Sequence, residues 1–101
     1  MKLNDILCSS HGYNCTLVDF YKVVKLSTSS VWLRRLESAF AEHDGYGQVG
    51  RVIPTERYAN DKVIMRRRKY SEYSKKEYVA ISNYEFAYPW DGKPAYYNSM
   101  D

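Results

Sequence analysis

Two cysteines and a histidine stand close together near the start of the chain, Cys8, His11 and Cys15, with a second histidine, His43, far downstream. Thiolates and imidazoles are zinc ligands, and a cysteine paired with a histidine can form a nucleophilic centre. The spacing argues against both. There is no Cys-x-x-Cys knuckle, and the separations match no common zinc finger. Nothing in the sequence signals the oriented base and oxyanion donors that a cysteine nucleophile needs. Cys8 and Cys15 are expected to be structural thiols, with no metal and no cofactor.

The acids Asp19, Glu37, Glu85 and Asp91 are scattered among strand-like and turn-like stretches. General acid–base work needs carboxylates on one face, and the cross-strand pairing that would unite them is invisible in linear spacing. The Gly45-Tyr46-Gly47 and Gly50 cluster lacks both the lysine of a phosphate-binding loop and the spacing of a dinucleotide fingerprint. The sequence therefore points to a protein that binds and is not an enzyme.

Its charge is concentrated. Lys62, Arg66, Arg67, Arg68, Lys69, Lys75 and Lys76 are seven of the fifteen cations, and Glu72 is the one acid among them. The rest of the chain carries eight cations and eleven acids, so one segment supplies the whole positive balance of +3. Such a segment can meet phosphate or an acidic protein surface. Consecutive arginines in a strand cannot share a face, which suits an exposed hairpin, and edge cations also guard a sheet against aggregation. Tyr70 and Tyr73 interleave with these cations as aromatics do in a nucleic-acid groove.

The elements that must carry these residues are β-like. From Tyr84 to Asp91 every even position is aromatic (Tyr84, Phe86, Tyr88, Trp90) and every odd one is small, acidic or proline. Period two is the period of a strand, so one face of it is wholly aromatic. Such a face serves as core, as a partner-binding surface or as a base-stacking platform; it is expected to bury at least Phe86 and Trp90, because so much exposed apolar area invites aggregation. Leu3–Cys8 reads as a first strand and Ser9–Thr16 as a loop. Leu17–Leu26 is apolar on both parities, as in a central strand between two layers. Ser27–Ser30 is a turn into a strand starting at Val31. Leu36–His43 is ambiguous between a short helix and a strand extension. Gln48–Pro54 reads as a strand stopped by proline, Thr55–Asp61 as a connection, and Lys62–Tyr70 and Tyr78–Ile81 as further strands. Asp91-Gly92-Lys93-Pro94 is a turn, and Ala95–Tyr97 closes the sheet.

Short strands at this density imply an all-β or β-rich α+β fold: a small SH3-like barrel of about six strands with at most one short helix. At 101 residues the chain is expected to form one domain, residues 1–101. Eleven tyrosines suit half-buried sheet surfaces and interfaces. No apolar run approaches a membrane span, and no secretory signal is apparent.

Three strings carry a resemblance: Ser9-Ser10-His11-Gly12-Tyr13, Val18-Asp19-Phe20-Tyr21-Lys22-Val23-Val24-Lys25, and Ala87-Tyr88-Pro89-Trp90-Asp91-Gly92-Lys93-Pro94. They resemble small uncharacterised proteins of bacteriophages and prophages, in which similar DFYxVVK and WDGKP strings recur at the start and end. The resemblance implies a viral accessory protein acting in the cytoplasm of a bacterial host cell. It assigns no activity; accessory proteins of this size often bind and block a host machine, so the expectation is an inhibitor of a host defence machine, anti-CRISPR-like or another anti-defence type, that occupies a surface on a defence or nucleic-acid-processing protein. No membrane is implied. The partner-binding residues expected are Arg66, Arg67, Arg68, Lys69, Tyr70, Tyr73, Lys75, Lys76, Tyr88 and Trp90. The alternative is a small DNA- or RNA-binding protein acting through the basic hairpin 62–76.

Overall fold

A computed structural model of the protein describes residues 1–12, 16–43 and 49–98. Every regular element among them is a strand: β1 (Ile6–His11), β2 (Leu17–Leu26), β3 (Ser30–His43), β4 (Val49–Arg67), β5 (Lys69–Ser71), β6 (Lys76–Ala80), β7 (Phe86–Pro89) and β8 (Ala95–Asn98). All paired neighbours are antiparallel, and the order across the sheet is β5-β6-β7-β1-β2-β3-β4-β8. Among the described residues no helix is long and apolar enough to cross a membrane.

The two-parity pattern of β2 explains the architecture. Side chains alternate between faces along a strand, so apolar residues on both parities need a core on each side. Tyr21 and Val23 join Leu7, Val31, Leu33, Val79 and Ala87 in a first core. Val18 and Phe20 face the other way and join Leu36 and Val52 in a second, flanked by Ile6, Cys8, Tyr58, Trp90, Ala95 and Tyr97. β3 serves both cores, giving Val31 and Leu33 to the first and Leu36 to the second. The β3–β4 ladder shifts register between Arg34 and Leu36, between Leu36 and Ser38, and between Phe40 and Glu42. Such irregularities bend a strand pair, and the first of them lies where β3 passes from one core to the other.

A short strand stands at each end of the sheet. β8 pairs with Val49–Val52 of β4, and Asn98 also bridges Thr16, just before β2. The Thr16 amide donates to the Asn98 carbonyl at 2.6 Å, and the Asn98 amide donates back at 2.8 Å. At the other end only Arg68 separates β4 from β5, and its amide donates to the Ser29 carbonyl at 2.9 Å. β5 and β8 remain the two ends of the hydrogen-bonded order, so the sheet is open and has eight strands where about six were expected.

Several local expectations change for one reason, the reach of the ladders. Ser9, Ser10 and His11 belong to β1 and not to a loop, because β2 pairs with all three and β7 pairs with Ser9 as well. Leu36–His43 is strand throughout, held against β4. Pro54 does not stop β4, and Thr55–Asp61 is part of the strand. Pairing with β8 ends at Val52, and Pro54 stands opposite Ser38 beside a register shift, both settings in which a strand tolerates proline.

Arg68 fixes the junction between β4 and β5. Its guanidinium donates to the Ser27 carbonyl at 2.9 Å and to both oxygens of Glu77 at 3.2 Å. The Met1 ammonium donates to the same Glu77 carboxylate at 3.2 Å. Partial burial raises the Glu77 carboxyl, but the hydrogen bonds and charges of the N-terminus and Arg68 outweigh it and hold the group below its ordinary value. A lowered folded value means that this stabilisation is present above the usual carboxylate range and is lost as pH falls through the folded value. Arg68→Ala is therefore expected to cost about 1–2 kcal/mol at neutral pH, discounted for the partial exposure of the pair, and less in acid. Urea melts of wild type and variant at pH 7 and pH 3 measure both effects.

Candidate functional site

The expected burial of the aromatic face holds at Trp90, which packs against the second core, and fails at Phe86. β7 lies between β6 and β1, and Ala87 stands opposite Val79 on one side and Ser9 on the other. Ala87 is fully buried, whereas Phe86 is 43% and Tyr88 38% exposed. The first core already holds Leu7 and Val79 at this level, so the small odd-numbered side of β7 turns inward and the even-numbered aromatics stand outward. Phe86 is thus not a core residue. Trp90 is half-buried in the second core, with its ring edge-on to Phe20 at 5.8 Å. Its indole N–H donates to the Lys93 carbonyl at 2.7 Å, which closes the Asp91–Pro94 turn.

The outward face of β6 and β7 forms a row. Tyr78 stacks on Tyr88 with centroids 5.4 Å apart and planes 22° from parallel, and Phe86 meets Tyr78 edge-on at 6.2 Å. Lys69 is paired directly with Tyr78, and Lys76 lies two residues before it, so both lysines flank the aromatics on the same face. Next to the row, Cys8, Lys76, Tyr88, Trp90, Asp91 and Lys93 are among the residues lining a cleft of about 240 Å³. The row therefore offers flat, partly desolvated π-faces with flexible cations at the rim.

The other expected contact residues divide. Lys69, Lys76, Tyr88 and Trp90 come together around the row and its cleft. Arg66 and Arg68 are half-buried and committed to the fold. The Arg66 Nε donates to the Ile81 carbonyl at 3.1 Å, and its terminal nitrogen donates to the Met65 carbonyl at 2.8 Å. Arg67 is exposed on the opposite parity of β4. Tyr70 pairs with Glu77 and so lies on the far face of the β5–β6 ladder from Lys69 and Tyr78. Tyr73 and Lys75 occupy the β5–β6 turn, where Tyr73 is fully exposed and Lys75 takes a left-handed φ of 60°. The basic hairpin is thus three structures: the end of β4 paired with β3, a covalent corner at Arg68, and the short β5–β6 ladder. Tyr78, Phe86 and Lys93 were not foreseen as site residues. Period two had marked the Phe86 face, but the direction it faced depended on tertiary packing.

A second constellation was not legible in the sequence. Ser9, His11, Asp19, Tyr21 and Glu85 converge on the first-core side of the sheet, where Asp19 stands opposite Ser9 in the β1–β2 ladder. The turn before β7 brings in Glu85, whose carbonyl accepts from the amides of Ile81 at 2.8 Å and Ser82 at 3.2 Å. The Glu85 Oε2 accepts from the buried Ser9 hydroxyl at 2.5 Å and from the Tyr21 hydroxyl at 2.9 Å. The His11 Nε2 lies 2.8 Å from the Asp19 Oδ2 and 3.9 Å from the Glu85 Oε2. Arg35 donates to the other Asp19 oxygen at 3.1 Å. Burial, the hydrogen bond to Glu85 and the charges of Glu85 and Asp19 push the Tyr21 hydroxyl well above the ordinary phenol range, against a smaller opposing effect of Arg35. Tyr21 therefore stays protonated as a donor. The stability it contributes is complete below the ordinary phenol value and is lost as pH rises above it.

Cys8 does not join this group. Cys8 lies on the other face of β1 from Ser9 and His11, against the second core, and Cys15 is outside the described residues, as are Tyr13, Asn14 and 44–48. Burial pushes the Cys8 thiol up to about 11, and the carboxylates of Asp91 and Asp19 add to the effect. The thiolate is the reactive form, so alkylation of Cys8 at pH 8 is expected to run about 100-fold slower than that of free cysteine. A Cys15→Ser variant treated with iodoacetamide and followed by mass spectrometry measures that rate.

No family model, no curated protein and no solved structure matches this chain.

Proposed function

We propose that the protein is a phage-encoded, non-enzymatic binding protein that inhibits a host defence machine by occupying a protein surface in the cytoplasm of the bacterial host. The observation that carries this reading is the open row of Tyr78, Phe86 and Tyr88. Protein interfaces are enriched in aromatics at their centre and depleted of lysine there, and the row has that arrangement, with Lys69, Lys76 and Lys93 at its margin. The phage-like strings support the choice of partner, since the WDGKP string ends in the turn beside the row and the DFYxVVK string lies in β2, one strand away from β7 across β1. The bridge between Thr16 and Asn98 supports reading the scaffold as a variant of the SH3-like barrel whose ladder stays open at two ends.

A second reading rests on the same face. Bases stack on exposed aromatics, and Lys69 and Lys76 stand where a phosphate backbone would follow such a stack. The protein reading ranks first because Arg66 and Arg68, the centre of the positive segment, are engaged within the fold. Affinity capture from nuclease-treated bacterial lysate, set beside gel shifts with labelled DNA and RNA, separates the two. The proposal expects a host defence or nucleic-acid-processing protein to be retained after nuclease treatment and no shift of bare nucleic acid at physiological salt. A salt-sensitive shift with no retained protein would reverse the order.

A further inference from the structure

We propose that His11, Asp19 and Glu85 form a binding site for a divalent transition-metal ion, with Mn²⁺ and Zn²⁺ as the fitting chemistry. The site is independent of the aromatic row. One imidazole nitrogen and two carboxylate oxygens, all within 4.8 Å of one another, converge from β1, β2 and the turn before β7. Ligand atoms about 2.0–2.2 Å from a common ion are separated by about 3–3.5 Å; His11 and Asp19 already stand at 2.8 Å, and Glu85, at 3.9 Å from His11, has to move inward to join them. A mixed nitrogen and oxygen set selects Mn²⁺ or Zn²⁺ over Mg²⁺ and Ca²⁺, which favour oxygen alone.

The surroundings suit an ion. Ligating carboxylates are held by outer hydrogen bonds. Here Arg35 holds the Asp19 oxygen that faces away from His11, while Ser9 and Tyr21 orient Glu85 through Oε2, the oxygen that faces His11. With a neutral imidazole the two carboxylates outweigh Arg35 by one negative charge. His11 and Glu85 also line a cleft of about 470 Å³ together with Gly12, Ser82 and Tyr84, which leaves room for water or an external ligand on the ion. An ion there ties β1, β2 and the β7 turn together. This set shares only His11 with the Cys8, His11 and Cys15 trio whose spacing argued against a metal, and Cys8 lies on the opposite face of β1.

The test is titration of the full chain, first stripped with EDTA, with ZnCl₂ and MnCl₂ by isothermal calorimetry and thermal melting. One ion per chain and a rise in melting temperature are expected. His11→Gln and Glu85→Gln should each weaken binding at least tenfold, while Asp91→Asn, outside the cluster, should leave it unchanged. Should either cluster variant unfold, Co²⁺ added to the wild type still decides. Weak visible bands without sulfur charge transfer are expected, and a strong near-ultraviolet thiolate band would assign the metal to cysteine and overturn the site. Absence of binding heat, or binding that survives both Gln variants, would overturn it equally.

Discussion

Phe20→Ala is expected to destabilise the protein by about 4 kcal/mol, while Phe86→Ala costs no more than about 1 kcal/mol. Both are aromatic residues in strands, and the difference lies in what surrounds them. Phe20 is fully buried in the second core, packed with Val18, Leu36 and Val52 and met edge-on by Trp90. Removing its ring leaves a cavity enclosed by neighbours on several strands, which the sheet cannot collapse to fill. Phe86 is 43% exposed and loses one edge-on contact with Tyr78. Denaturant melts of the two variants measure the contrast. Similar losses would mean that the row is core after all.

The second large effect is on binding. Phe86→Ala combined with Tyr88→Ala is expected to lower affinity for the partner about 100-fold or more, because central aromatic anchors carry a disproportionate share of interface energy. The fold should survive, since both side chains stand on the outward face of β7 and Ala87 holds that strand to the core. Some loss of stability, about 1 kcal/mol, follows from the lost stack on Tyr78. Surface plasmon resonance against the captured partner, with circular dichroism of the same samples, reads the two quantities separately. Charge reversal at Arg66 and Arg68 is a poorer probe than their sequence suggests. Arg66 is bonded to the Ile81 carbonyl and Arg68 to Glu77, so their loss weakens the fold before it reports on any interface.

Much of the fold was legible in the sequence, for identifiable reasons. The two-parity pattern of Leu17–Leu26 marks β2 as a strand with a core on each side, and that is where it lies. The Asp91–Pro94 turn is marked by its residue types and closes as expected, on Trp90. Period two also found the aromatic face of β7. It could not say whether that face turned in or out, because periodicity fixes which residues share a face and not what covers it. Here Leu7 and Val79 admit only Ala87 on the inner side. The length of β4 was hidden for a different reason. Its exposed, polar middle lacks a hydrophobic pattern, and it stays extended because β3 supplies partners at Tyr58 and Pro54. The convergence of His11, Asp19 and Glu85 was out of reach altogether, since it depends on the register of β1 on β2 and on a turn more than sixty residues away.

Site-specific photocrosslinking tests the central claim most directly. p-Benzoylphenylalanine placed at Phe86 presents the crosslinker from the aromatic row. Placed at Val63, which is 49% exposed on β4, it presents the crosslinker from a second apolar position well removed along the sheet. Irradiated in bacterial cells, the variant at position 86 is expected to form one discrete covalent adduct with a host protein, and the variant at position 63 none. An adduct from position 63 with none from position 86 would contradict the account and move the interface to β4.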